Sequence, residues 1–383
     1  PPLTGLGLGM ALESGGGIVA RETRVGFRRL ESVFLQAARL KRGGVFRRNI
    51  TLRGLFARAA ASALRRGVVR LRGGLAPVAI TLSPTMRCNL SCTGCYALDY
   101  PRDDELPSET IGRVLADAAR MGVFLVIVTG GEPLLRPDIV ELFGKHGRLL
   151  FLLVTNGTLV DRKQAGAMAR AGNIVPVVSL EGPRAMTDAR RGSGVYDAAV
   201  RAMSHFADER LLFGYSSMVT SENWSQLVGS EFISEMIERG CGIGFYTEYV
   251  PVGSGVRWDW VLGDRERKLF REGVLSIRRS RPLIIAHLPD DEYDKRNRCL
   301  GVTGGCVHVN AQGCVEPCPF AHFAADNVRE KLLAEAVGSK FLAEVRASEA
   351  VIRRGHVGCA LVENRALLED IARRAGAAPT DRQ

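Results

Sequence analysis

Long apolar runs are missing from this sequence. No stretch of 18 or more apolar residues occurs, which removes the usual signature of a membrane-spanning helix. The first twenty residues, PPLTGLGLGMALESGGGIVA, lack a basic region ahead of an apolar stretch, so they do not read as a signal peptide; they read as an unstructured leader or an artefact of gene-start assignment. Cysteine is scarce as well. Nine in 383 residues, an odd number in uneven clusters, are too few for a disulfide scaffold and fit metal ligation in a reducing, cytoplasmic compartment. There is no internal repeat and no recognised nucleic-acid motif, so no nucleic acid is expected as a partner. Acidic residues almost disappear from one segment: between Arg21 and Arg72 stand 15 Lys or Arg against Glu22 and Glu31 alone, a balance of +13. The whole chain carries +11 and residues 1–20 only Glu13, so residues 73–383 are close to neutral.

What is present suits a large enzyme. The composition is 46% hydrophobic with 43 glycines, enough for a sizeable core and many tight backbone approaches. Two arginine-rich amphipathic segments come first, FRRLESVFLQAARL at 27–40 and TLRGLFARAAASALRR at 51–66, the second with Leu52, Leu55, Phe56 and Ala59 at helical spacing. From residue 78 strands and helices alternate. Strands are expected at 78–82, 123–128, 149–154, 174–180, 211–217 and 242–250, with helices after them near 108–121, 161–171, 195–207, 230–239 and 264–280. Six such units imply a parallel α/β sheet with right-handed crossovers, a partial TIM-like (β/α)6 barrel whose chemistry lies in the loops after the strands. The segment from 299 is rich in Cys, Gly and Pro and reads as a separate small module closed by helices at 328–346 and 363–374. The expected division is a helical extension at 1–77, a barrel at 78–298 and a cysteine-rich module at 299–383.

The loop after the first strand reads Cys88-Asn89-Leu90-Ser91-Cys92-Thr93-Gly94-Cys95-Tyr96. Three thiolates at this spacing can hold three irons of a cubane and leave the fourth iron open to a cofactor, as catalytic zinc sites leave one position open. A zinc knuckle would want a fourth Cys or His close by, and the nearest histidine is His146. Thr129-Gly130-Gly131-Glu132-Pro133 follows the second strand; Asn156-Gly157 follows the third; Ser179-Leu180-Glu181-Gly182 and then Arg190-Arg191-Gly192 follow the fourth. This set resembles the radical S-adenosylmethionine (SAM) superfamily. The resemblance implies a [4Fe–4S] cluster on Cys88, Cys92 and Cys95. It also implies SAM-binding roles for Gly130, Gly131 and Glu132 at the amino group, Ser179 at the ribose and Arg191 at the carboxylate. Gly94 departs from the family, which usually has an aromatic there; Tyr96 is expected to cover the adenine instead. Glu181 stands where relatives usually have Asp, so its role is open. The implied chemistry is reductive cleavage of SAM to methionine and a 5′-deoxyadenosyl radical that takes hydrogen from a substrate. The implied electron donor is a reductant such as ferredoxin or flavodoxin.

Five of the nine cysteines fall within residues 299–359. Cys299, thirteen residues, Gly313, four residues and Cys318 resemble the opening of SPASM and twitch modules. By that resemblance Cys318 and Cys359 join Cys299 on an auxiliary [4Fe–4S] cluster, with Cys306 and Cys314 as candidates for a fourth thiolate. Zinc or buried free thiols are the alternative. Cys241 stands alone and reads as a core residue, while His308, Asn310, Glu316, His322 and Asp326 surround the second cluster without an assignable role.

The substrate is left open among a peptide, a lipid-like molecule and a small molecule. The non-enzymatic alternative is an iron–sulfur or zinc protein with a regulatory or scaffolding role. Residues 21–72 allow three expectations: peripheral contact with the inner face of a membrane, with Leu30, Phe34, Leu55 and Phe56 inserting; binding of a partner or acidic peptide; or ordinary packing on the barrel.

Overall fold

The computed structural model describes residues 50–294 and 296–381. A helix, α1 (Leu52–Leu71), precedes six strands: β1 (Ala79–Leu82), β2 (Leu125–Val128), β3 (Leu150–Thr155), β4 (Ile174–Ser179), β5 (Gly214–Val219) and β6 (Ile243–Glu248). Between them run α2 (Ser108–Met121), α3 (Ile139–Gly144), α4 (Arg162–Ala171), α5 (Arg184–Arg191), α6 (Val195–Asp208), α7 (Trp224–Leu227) and α8 (Ser230–Glu238). All six strands pair in parallel, in sequence order, as a partial TIM-like barrel. The helix ends follow local chemistry. Asp161 accepts from Gln164 N at 2.7 Å to start α4, and Gly122 and Gly172 end α2 and α4 in the left-handed conformation that a side chain disfavours.

The sheet does not stop at six strands. After α9 (Asp264–Ser280), β7 (Ile284–Leu288) adds in parallel to β6. After a short helix, α10 (Leu300–Thr303), β8 (Cys306–Val309) adds in parallel to the opposite edge, placing Ala79 against Cys306 and Thr81 against His308; β9 (Val315–Glu316) then pairs antiparallel with β8. The boundary expected at residue 299 therefore runs through a nine-stranded sheet. The helix expected over 328–346 is two, α11 (Leu333–Val337) and α12 (Lys340–Ala347), because Ser339 caps the second by accepting from Leu342 N at 3.1 Å. The chain finishes with α13 (Ala360–Glu363) and α14 (Arg365–Ala375).

The main core lies between the helices and the outer face of the sheet. A second apolar cluster fills the inside of the barrel, where Leu152, Val175, Val177 and Phe245 alternate with outward residues along their strands. Ile50, 1% exposed, and Leu55 pack into this inner cluster with Leu125, Leu150 and Ile243 at the starts of their strands. The chain entering α1 thus plugs the barrel floor. This corrects one expectation: Leu55 faces the protein core and is not free to enter a bilayer. Ser62 Oγ donates to Gly122 O at 2.5 Å and Arg66 Nη1 to the same oxygen at 2.9 Å, fastening α1 to the end of α2. The segment 27–40, with Leu30 and Phe34, lies outside the described residues. Among the described residues, no helix is long and apolar enough to cross a membrane.

Candidate active site

The three loop thiols are brought to the top of the barrel by the turn out of β1. The Gly130–Glu132 strap is zipped against the approach to this loop: Gly131 N donates to Thr85 O at 2.9 Å and Glu132 N to Arg87 O at 2.8 Å. A Cβ at Gly131 would overlap the carbonyl oxygen of Arg87, so the approach is open only to glycine. Tyr96 OH lies 3.2 Å from Thr129 Oγ1 and accepts from Gly130 N at 3.3 Å, tying the residue after Cys95 to the strap. Gly94 also has a steric reason. A Cβ there would come within 2.9 Å of the Trp260 ring and 3.3 Å of Tyr249, so these two residues occupy the space where a side chain at 94 would go.

Glu132 is buried, accepting from Thr155 Oγ1 at 2.8 Å, Leu134 N at 3.1 Å and Asn156 N at 2.7 Å; burial raises its pKa against these donors. Asn156 in turn donates to Asn89 Oδ1 at 2.9 Å, inside the cysteine loop. Ser179 ends β4 on the same cavity wall. The open question of Glu181 is answered by two arginines: its Oε1 accepts from Arg190 Nη1 at 2.5 Å and Arg191 Nε at 2.8 Å, and its Oε2 from Met218 N at 3.1 Å. Burial works against this carboxylate, yet the two guanidinium groups hold it below its ordinary range. Arg191 reaches the cavity wall already paired.

Four further thiols line the same cavity, a space of about 260 Å³: Cys299, Cys306, Cys318 and Cys359. Cys299 opens α10, its sulfur accepting from Val302 N at 3.5 Å. Cys306 starts β8, its sulfur 3.8 Å from Thr81 Oγ1. Cys359 opens α13, where Tyr293 OH accepts from Ala360 N at 2.8 Å and donates to Gly358 O at 3.1 Å. Burial pushes the thiols of Cys299 and Cys306 up to about 12 and Cys359 to about 11, so none is a free thiolate near neutrality. Bound iron would deprotonate them. Cys314 does not line the cavity; its sulfur accepts from Asn327 Nδ2 at 3.6 Å. Cys241 is buried in the main core. Among the described residues, no three His, Cys, Asp or Glu side chains close on a single-ion site. The donor set, seven thiols in two sequence groups around one cavity with a glycine strap in its wall, fits clusters and a cofactor lying against backbone.

His308, Asn310 and Glu316 form a buried brace outside the cavity. His308 bridges Ser83 Oγ at 2.8 Å and Glu316 Oε2 at 2.6 Å, while Tyr100 OH and Asn310 Nδ2 donate to Glu316 at 3.0 and 2.8 Å. The brace fixes the end of β1 to β8 and β9. His322 pairs with Asp381, and Asp326 with Lys331.

Sequence reasoning missed Glu292. It lines the cavity, and its charge raises the pKa of Cys299, Cys306, Cys318 and Cys359 alike. Burial, helped by Asp291, pushes its own carboxyl up from 4.5 to about 7. A carboxyl whose folded pKa is raised contributes stability in full below its ordinary pKa and loses it as pH rises through about 7. Iron-free protein is therefore expected to lose more stability between pH 5 and 8 than its Glu292→Gln variant. Parallel urea midpoints for the two proteins across that range would clear Glu292 as a cause.

Residues 82–228 match the family described as the Radical SAM superfamily. The chain is 31% identical over 225 residues to Fe-coproporphyrin III synthase of Methanosarcina barkeri, covering 57% of this chain and 55% of that protein. It is 30% identical over 296 residues to mycofactocin maturase MftC of Mycobacterium ulcerans, covering 70% of this chain and 76% of the relative. The fold is similar to Streptococcus suis SuiB bound to S-adenosylmethionine, with a TM-score of 0.63 at 19% identity over 73% of this chain and 70% of that one.

Proposed function

The chain belongs to the radical SAM superfamily, and from that premise we propose that it runs radical chemistry on a substrate held between two iron–sulfur sites in one cavity. The family's [4Fe–4S] cluster and SAM supply, when bound, the electron and the 5′-deoxyadenosyl radical. Cys88, Cys92 and Cys95 hold that cluster. Gly130, Gly131 and Glu132 meet the SAM amino group, Ser179 the ribose and Tyr96 the adenine side, with Arg191 near the carboxylate. Cys299, Cys306, Cys318 and Cys359 hold an auxiliary [4Fe–4S] cluster, and Cys314 does not. A one-electron protein donor such as ferredoxin or flavodoxin supplies the reducing equivalents.

One observation carries this reading: thiols more than 200 residues apart in sequence line a single cavity. The wall around them, with Met86, Leu90, Met218, Val250, Phe320 and Leu361, is apolar enough to exclude water from a reactive intermediate and to receive an apolar part of a substrate. Of the two relatives described above, one is named a synthase of Fe-coproporphyrin III and the other a mycofactocin maturase. The substrate is proposed only as a molecule with an abstractable C–H bond and an apolar portion.

Iron counting tests the assignment. Reconstituted wild type should hold about eight irons and the Cys88/Cys92/Cys95→Ala variant about four. Adding Ala at Cys299, Cys306, Cys318 and Cys359 should remove the remainder, whereas Cys314→Ala should remove none. A folded Cys88/Cys92/Cys95 variant without iron would end the auxiliary-cluster proposal.

A further inference from the structure

We propose that the outer face of α1 is a docking surface for an anionic lipid bilayer. Its inner side is committed to the barrel floor and to Gly122, through Leu55, Ser62 and Arg66. The outer side carries Leu64, Val68 and Leu71, spaced four and three residues apart on one helical stripe and 72%, 42% and 85% exposed. Leu75 and Val78, between the helix end and β1, are also exposed. Arg53 and Arg72 are exposed at either end of α1 and Arg65 is half-buried beside the stripe.

Charge selects the occupant. Not one Asp or Glu occurs from Ser32 to Leu98, so every charged side chain in this stretch of sequence is cationic. An anionic bilayer satisfies both features, taking the leucines into the headgroup boundary while phosphates meet the guanidinium groups. Nucleic acid would leave the apolar stripe unused. Because α1 lies across the strand starts, a bilayer on this face sits beneath the barrel floor and leaves the thiol-lined cavity at the other end uncovered. The surface rests on no part of the cavity assignment.

The test is co-sedimentation of the full chain with vesicles of phosphatidylcholine and phosphatidylglycerol (3:1) against phosphatidylcholine alone. At 0.1 M salt, binding to the anionic vesicles should exceed that to neutral ones by at least about tenfold. It should weaken toward 1 M, as the Debye length shrinks from about 10 Å to about 3 Å. Changing Arg53, Arg65 and Arg72 to Gln should cost about fivefold per charge, on the order of 100-fold together. Leu64→Ser with Leu71→Ser should lower binding by about tenfold or more and remove the salt-resistant part. Both variants should keep wild-type circular dichroism and SAM cleavage. Equal binding to the two vesicle types, variants that bind like wild type, or capture by polyglutamate without capture by anionic vesicles would each overturn the proposal, the last in favour of an acidic protein partner.

Discussion

Changing Cys88, Cys92 and Cys95 together to alanine is expected to abolish formation of 5′-deoxyadenosine from SAM by anaerobically reconstituted, dithionite-reduced protein. The loss should be complete because the three thiols are the only cysteines on the loop between β1 and α2, and the strap that would orient SAM is built onto that loop. The other thiols lining the cavity belong to the group whose pKa values Glu292 raises. The variant should still fold, since the brace of Ser83, His308 and Glu316 is untouched. Residual 5′-deoxyadenosine at wild-type rates, measured by chromatography on the same reconstituted preparations, would mean that this loop does not carry the chemistry.

The largest expected stability effect is at Glu181. Its carboxylate is about 2% exposed and Arg190 and Arg191 are 12% and 11% exposed, so all three charges are removed from water together. Glu181→Ala leaves two buried guanidinium groups without their anion and Met218 N without an acceptor. Breaking a buried pair by deleting one partner typically costs about 3–5 kcal/mol, because the remaining charge keeps its desolvation penalty. Urea unfolding of the iron-free protein should show this as a lowered midpoint at unchanged slope. A change under about 1 kcal/mol would mean that the arginines find other partners. Glu181→Asp should fall between the two, since a shorter carboxylate reaches one arginine better than both.

The barrel was legible in the sequence because its signals are local. VFLVIV and IVPVVSL are apolar runs bounded by helix stops, and β2 and β4 fall inside them. The cysteine loop and the strap were legible because glycine and cysteine carry chemistry at fixed spacing. What was not legible depends on distant partners. Nothing local in CVHV says that it pairs with residues 79–82, and β7 hides in LIIAHL because a short apolar run after a helix fits several structures. Cys306 and Cys314 could not be separated by spacing; the structure separates them because β8 turns one to the cavity and Asn327 holds the other. Glu292 carried no motif at all, and Leu55 was left open among a bilayer, a partner and the barrel because a helical stripe does not say which surface covers it.

The pairing of β8 with β1 also has a consequence for synthesis. Ala79 leaves the ribosome 227 residues before Cys306, its neighbour in the finished sheet. At about 5–20 residues per second, the open edge of β1 waits roughly 10–50 s for its partner. During that interval the backbone N–H and C=O groups of 79–82 are a free template for pairing with other chains. A chain that has not reached residue 306 also has its first three cavity thiols and lacks Cys306, Cys318 and Cys359. A cluster proposed at the second site would thus be assembled late, and a nascent chain stalled before residue 306 would display an unprotected strand edge beside a half-built cavity.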